Sequence, residues 1–106
     1  MDTNIEHIIE EIKDLIIKKF NPEKVILFGS CAKGNTGKNS DIDLFIVKNT
    51  NLDMHQRIIE ARDIIPYRYP VDVIVYTPEE YEKYKDNKWS FLYRVVREGK
   101  VIYERI

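Results

Sequence analysis

The chain has 106 residues and a formal net charge of −1 at pH 7. This length suits one hydrophobic core, so we expect a single domain over residues 1–106, and the charge gives no reason to expect direct nucleic-acid or lipid binding. One cysteine and two histidines argue against a disulfide framework and a structural zinc site. No run approaches the roughly 18 apolar residues of a membrane span, and the charged amino terminus argues against a signal peptide. We therefore expect a cytoplasmic protein.

The first half of the chain predicts one helix and two strands. Isoleucines and a leucine recur at three- and four-residue spacing from Ile5 to Ile16, which is typical of an amphipathic helix. Asn21-Pro22 ends it, because the residue before proline disfavours helical backbone. Two apolar runs, Lys24–Phe28 and Asp41–Val47, predict buried strands. Between them, we expect one helical turn over Ser30–Lys33 and a loop over Gly34–Ser40.

The second half alternates helices and strands. Thr77 and Pro78 are a typical helix start, with threonine as the N-cap and proline in the first turn. Met54–Ile65 predicts a helix with Met54, Ile58, Ala61 and Ile65 on one face. The pattern further predicts a strand over Val71–Tyr76, a helix over Trp89–Glu98 and an edge strand over Val101–Tyr103. This alternation predicts an α/β layered fold with helices packed on a sheet.

Three aspartates lie in or beside the predicted strands. Asp41 and Asp43 project to one face, because side chains alternate along a strand. Asp72 lies near the start of another apolar strand, and all three carboxylates converge if the two strands are neighbours. Clustered carboxylates repel one another unless a cation is present. Oxygen-rich clusters suit Mg²⁺ or Mn²⁺, and carboxylates that hold two metals serve phosphoryl and nucleotidyl transfer.

A Gly29-Ser30 corner follows the first predicted strand. Glycine lets a backbone approach phosphate closely, and the serine hydroxyl and following amides can donate to phosphate oxygens. Gly34 allows a tight exit from that turn. Asn35 and Thr36 follow it, so the spacing does not match a Walker-type loop.

These two segments together resemble a known signature. The stretch Gly29-Ser30-Cys31-Ala32-Lys33-Gly34, followed by Ser40-Asp41-Ile42-Asp43-Leu44, resembles the G-S-x-A-x-G … S-D-[IVL]-D-L pattern of the DNA polymerase β-like nucleotidyltransferase superfamily. Asp72 stands where that superfamily has its third carboxylate. The short chain resembles the minimal nucleotidyltransferase (MNT) branch.

The resemblance implies a mixed sheet flanked by helices and Mg²⁺-dependent transfer of a nucleoside monophosphate from a nucleoside triphosphate. It makes Gly29 and Ser30 phosphate binders, with Gly34 and Ser40 in the same nucleotide-binding segments. Asp41 and Asp43 become ligands to two Mg²⁺ ions, for which Mn²⁺ can substitute. Asp72 becomes a ligand to the catalytic metal and the base for the acceptor hydroxyl.

The acceptor is not encoded in these motifs. Few residues follow the third aspartate, so we expect no acceptor-binding domain, which disfavours antibiotic modification. MNT proteins are commonly encoded beside a small helical HEPN ribonuclease that they neutralise, in some cases by adenylylating a tyrosine. The resemblance thus implies an adenylyltransferase that acts as an antitoxin.

One departure from the pattern keeps a second hypothesis open. Many relatives have arginine directly after the Gly-Ser pair, where this chain has Cys31, which we interpret as a small packed residue. The second hypothesis is a module that neutralises its partner by contact alone.

We interpret five aromatic residues as packing, and none stands out as reading a nucleotide base: Tyr81, Tyr84, Trp89, Phe91 and Tyr93.

Overall fold

The computed structural model describes residues 2–29, 31–32 and 41–105. It contains helices α1 to α4 and strands β1 to β4 in the order α1(Asp2–Phe20), β1(Lys24–Phe28), β2(Ile42–Val47), α2(Met54–Ile64), β3(Val71–Tyr76), α3(Pro78–Tyr84), α4(Phe91–Glu98), β4(Lys100–Glu104). Within these ranges, every helix is too short or too polar to cross a lipid bilayer.

The four strands form one sheet in the order β3-β2-β1-β4. Strand β1 is antiparallel to β2 and β4, and β2 is parallel to β3. The parallel pair requires a crossover, which α2 provides between the two strands. The predicted mixed α/β sheet with flanking helices is therefore confirmed.

Each face of the sheet has its own hydrophobic core. One face presents Val25, Leu27 and Leu44 to α1 and α2. The opposite face presents Ile26 and Phe45 to α3 and α4. Because side chains alternate along a strand, Asp43 lies on the second face with Phe45, and this places the predicted site on the same side as α4.

The structure differs from the predicted elements in several details. Helix α2 ends one residue earlier than predicted, at Ile64, and β4 extends one residue further at each end, over Lys100–Glu104. Asp41 lies just before β2 rather than inside it. Helix α4 begins at Phe91, because the Ser90 side chain accepts a hydrogen bond from the Tyr93 amide and caps it, and Trp89 is 86% exposed. In α2, the predicted face was partly wrong, since Met54 is exposed.

Arg57 takes a buried position on α2 that the apolar pattern did not predict. Its guanidinium donates to the carbonyl oxygens of Leu52 and Val75 at 2.7 and 3.3 Å. It also pairs with Glu80 at 2.8 Å. Glu80 in turn completes a capping box with Thr77 at the start of α3, so one buried arginine joins α2, β3 and α3.

Candidate active site

The register of the two parallel strands brings the predicted aspartates together. Asp43 on β2 is the pairing partner of Asp72 on β3. Asp43 is also the pairing partner of Phe28 on the other side, in β1. Paired residues of neighbouring strands point to the same face. Asp72, Asp43 and Phe28 therefore form a row across one end of the sheet.

Asp43 is in an electrostatically unfavourable position. Partial burial raises the pKa of its carboxyl group, and the negative charges of Asp72 and Asp41 raise it further. The closeness of the Asp72 side chain adds to the raised pKa as well. The protein thus concentrates negative charge at a point where a cation is favoured.

Asp41 lies at the edge of this arrangement. It is exposed, and its carbonyl oxygen accepts a weak hydrogen bond from the Cys31 thiol at 3.4 Å. Its charge acts on Asp43. The structure therefore places Asp43 and Asp72 in direct contact and Asp41 beside them.

Gly29 turns the chain directly against Asp43. Its φ of +76° is in the region that favours glycine. A Cβ at this position would lie 3.2 Å from Cγ of Asp43 and would overlap with Oδ2. Both the conformation and the space at this corner therefore require glycine.

Cys31 is buried at 7% exposure, which confirms the interpretation of a small packed residue. Burial raises the pKa of its thiol, and the charges of Asp43 and Asp41 add to this rise. A thiol with a raised pKa stays protonated, so Cys31 is a poor nucleophile. The position after the Gly-Ser pair therefore supplies no positive charge to a nucleotide.

Three predicted nucleotide-binding residues, Ser30, Gly34 and Ser40, lie outside the described residues. Of the predicted set, the structure thus places four residues, and it brings three of them into contact: Gly29, Asp43 and Asp72.

The carboxylates suit a hard divalent cation. Within residues 2–29, 31–32 and 41–105, no three histidine, cysteine or acidic side chains form a ready metal-binding group. The donors nearest to that condition are the contacting pair Asp43 and Asp72, with Asp41 close enough to raise the pKa of Asp43. Carboxylate oxygens are the ligands that Mg²⁺ prefers, and its charge would relieve the repulsion among them. The residues present therefore fit Mg²⁺.

A cavity of about 230 Å³ beside this row was not predicted from the sequence. It is lined by residues of α4 and of the end of β1: Phe28, Gly29, Phe91, Arg94, Val95 and Glu98. Phe28 and Phe91 meet edge to face, with 5.6 Å between ring centroids. The α4 residues are spaced as 91, 94, 95 and 98, which is one face of a helix. This spacing is the signal in the sequence that could have indicated the cavity, where Phe91 had been interpreted as packing.

Comparison with known proteins agrees with the geometry. The family described as "Polymerase beta, Nucleotidyltransferase" matches residues 10–106. A "Putative protein adenylyltransferase" of Methanocaldococcus jannaschii is 35% identical in an alignment of 104 positions that covers 94% of this chain and 99% of that protein.

Two solved structures share the fold. A crystal structure of a "putative nucleotidyltransferase from Sulfolobus solfataricus" has a TM-score of 0.60 and 26% identity, covering 99% of this chain and 81% of the other. A second crystal structure, described as that of a "putative nucleotidyltransferase", has a TM-score of 0.54 and 23% identity, covering 90% of this chain and 97% of the other. The chain therefore belongs to the polymerase beta family of nucleotidyltransferases, a family of transferase enzymes.

Proposed function

We propose that this protein is an Mg²⁺-dependent adenylyltransferase that transfers AMP from ATP to a hydroxyl group of a partner protein. The observation that carries the proposal is the contact between Asp43 and Asp72, with the raised pKa of Asp43 beside Asp41. A cluster of this kind costs stability unless a cation binds. The name of the M. jannaschii relative supports a protein as the acceptor.

Each residue of the site has a role in this reaction. Asp41, Asp43 and Asp72 would hold Mg²⁺, which supplies charge to neutralise phosphate oxygens. Gly29 lets the backbone approach the triphosphate closely, because glycine has no side chain. The absence of a Cβ also leaves room for Asp43. Asp72 takes the proton of the acceptor hydroxyl. The acceptor oxygen then forms a bond to the α-phosphorus, and the bond between the α-phosphorus and the pyrophosphate oxygen breaks.

The position of Asp72 supports this role. It is exposed and lies on β3, which is an edge strand of the sheet. An acceptor from another protein can therefore reach Asp72 from outside without displacing β2. We propose a small helical HEPN-type toxin as this partner and an antitoxin role for the chain, as the resemblance to MNT proteins implies.

A second candidate function is neutralisation of the partner by contact alone. The observation that favours it is the buried Cys31 at the position where many relatives have arginine. Without that positive charge, the nucleotide loses one interaction. The two candidates differ in whether the aspartates are needed for neutralisation.

The test is a labelling experiment in lysate of the source organism. The wild-type chain and the variant Asp41→Asn/Asp43→Asn are each incubated with Mg²⁺ and with ATP labelled at either the α- or the γ-phosphate. We expect a labelled protein band from α-labelled ATP with the wild type alone, and none from γ-labelled ATP. A band that persists in the variant, or label from the γ-phosphate, contradicts adenylyl transfer by this site. A small partner that co-purifies without label favours neutralisation by contact.

A further inference from the structure

The cavity beside Gly29 belongs to the same end and the same face of the sheet as the aspartates. Gly29 lines the cavity and also lies against Asp43. Phe28 lines it and is the pairing partner of Asp43. A molecule bound at Asp43 therefore has this cavity directly beside it.

The row formed by Asp72, Asp43 and Phe28 places different residues on the two sides of Asp43. Asp72 lies on one side, on β3, and Phe28 lies on the other, on β1. In the proposed function, Asp72 serves the acceptor hydroxyl. The cavity is consequently on the side of the nucleotide and away from the acceptor.

The walls of the cavity select among the parts of a nucleotide. Phe28, Phe91 and Val95 make it apolar, and the rings of Phe28 and Phe91 stand at 79° to each other. The volume of about 230 Å³ is below the ~300 Å³ at which pockets begin to hold drug-sized ligands, so it suits a single ring system. An aromatic base is the part of a nucleotide that matches these walls.

Two charged side chains of the cavity can distinguish one base from another. Arg94 and Glu98 line it together, with Nε of Arg94 3.8 Å from the Glu98 carboxylate. Arginine donates hydrogen bonds and a carboxylate accepts them. At the edge that carries N7, adenine presents an amino donor beside a ring-nitrogen acceptor, whereas guanine presents two acceptors. Arg94 and Glu98 are complementary to this edge of adenine, whereas guanine bound through the same edge would direct a carbonyl oxygen at a carboxylate.

We infer that the cavity between the end of β1 and α4 is the base-binding subsite of this enzyme, where Phe91 contacts the base and Arg94 with Glu98 binds the N7 edge of the base and so selects adenine over guanine. This inference rests on the proposed function, since it assumes that a nucleoside triphosphate binds at Asp43.

The test is equilibrium binding by calorimetry in the presence of Mg²⁺, with ATP, GTP, CTP and inorganic tripolyphosphate as the probes. We expect the wild type to bind ATP at least about tenfold more tightly than GTP, because a mismatched polar edge loses the hydrogen bonds that the matching base makes. We expect a similar margin over tripolyphosphate, which has no base to contact Phe91.

Variants on α4 separate the base from the phosphates. Phe91 is 48% exposed, so Phe91→Ala should fold, weaken ATP binding about tenfold and leave tripolyphosphate binding unchanged. Glu98→Gln should reduce the ratio of ATP to GTP affinity to below about threefold. Val96→Ala and Arg97→Ala are matched controls on the same helix, outside the cavity, and should bind ATP like the wild type.

The inference is overturned if the wild type binds ATP, GTP and tripolyphosphate equally, or if Phe91→Ala binds ATP as the wild type does. If AMP transfer to a protein still occurs in either case, the proposed function survives and only the subsite is wrong. If neither ATP nor tripolyphosphate binds, the proposed function fails together with the subsite.

Discussion

The carboxylate of Asp43 occupies the space into which any side chain on residue 29 would extend. Its Cγ would be 3.2 Å from a Cβ at that position, and Oδ2 would overlap with it. Gly29 also has a φ of +76°. Asp43 can therefore occupy its position only because residue 29 is glycine.

Gly29→Ala should therefore damage both stability and activity. A non-glycine residue in left-handed backbone costs about 1–2 kcal/mol, and the added methyl group must also displace Asp43. We expect a loss of at least about 2 kcal/mol in the free energy of unfolding, measured in urea, and loss of AMP transfer even where the variant is folded.

Val25→Ala is the matched control for Gly29→Ala. Val25 is fully buried in β1 and packs in the core on the opposite face from Asp43. Its truncation should cost about 2 kcal/mol but leave transfer intact under conditions where the variant is folded. Equal activity of the two variants would show that Gly29 acts only through stability.

Asp43→Asn should stabilise the protein when divalent cations are removed by EDTA. Burial and the charges of Asp72 and Asp41 raise the pKa of Asp43, so the folded chain holds this proton more tightly than the unfolded chain does. Stability therefore falls as the pH rises from the unfolded pKa through the folded pKa. At neutral pH the ionised carboxylate is unfavourable, and asparagine removes that cost.

Thermal unfolding at pH 7 and at acid pH checks this sign. Asp43→Asn should have a higher melting temperature than the wild type at pH 7, and the difference between the two melting temperatures should decrease on acidification. Asp63→Asn, on the exposed surface of α2, serves as the control and should change little. An Asp43→Asn protein that is less stable than the wild type in EDTA would rule out repulsion as the dominant effect.

Arg57→Leu should destabilise the fold without touching the active site. The guanidinium is buried and joins two backbone carbonyls to Glu80. Removing one partner of a buried ion pair costs about 3–5 kcal/mol, and we expect about 2–3 kcal/mol here because the Glu80 side chain is partly exposed. Lys13→Ala, which removes a surface pair with Glu10, should cost at most about 0.5 kcal/mol. Similar losses for the two variants in urea would contradict the assignment.

The ion pair between Arg57 and Glu80 should also make the stability of the fold depend on pH. Partial burial alone would raise the pKa of Glu80, but hydrogen bonds from Arg57 and from the Thr77 backbone lower it. Its stabilising contribution is present above the unfolded pKa and is lost as the pH falls through the folded pKa. The difference in unfolding free energy between wild type and Arg57→Leu should therefore shrink on acidification. A difference that stays constant down to acid pH would show that the charge of Glu80 is not involved.

Local patterns in the sequence predict much of the fold. Strand β1 has the predicted bounds because its apolar run lies between Pro22 and Gly29, each of which interrupts regular structure. Thr77 caps α3 as predicted, through its own side chain and Glu80. These features depend on neighbours along the chain, and neighbours are visible in a sequence.

Features that depend on residues far apart in the chain were harder to predict from the sequence. Asp72 lies opposite Asp43 because β2 and β3 pair in one particular register. A single sequence does not show which strands pair, so the convergence of the aspartates could be predicted only on the assumption that these strands are neighbours. The burial of Arg57 depends on Glu80, 23 residues away, whereas arginine on a helix is usually exposed. Likewise, Phe91 borders a cavity only because α4 packs over the end of β1.

The most direct test of the account is whether the aspartates bind a divalent cation. Mn²⁺ is titrated into the metal-free protein, with and without ATP, and free Mn²⁺ is measured by electron paramagnetic resonance. We expect the wild type to bind Mn²⁺, more tightly with ATP, and the variants Asp43→Asn and Asp72→Asn to lose this binding while Asp63→Asn retains it. Wild-type protein that leaves Mn²⁺ free in the presence of ATP, or variants that bind it as the wild type does, would contradict the central claim.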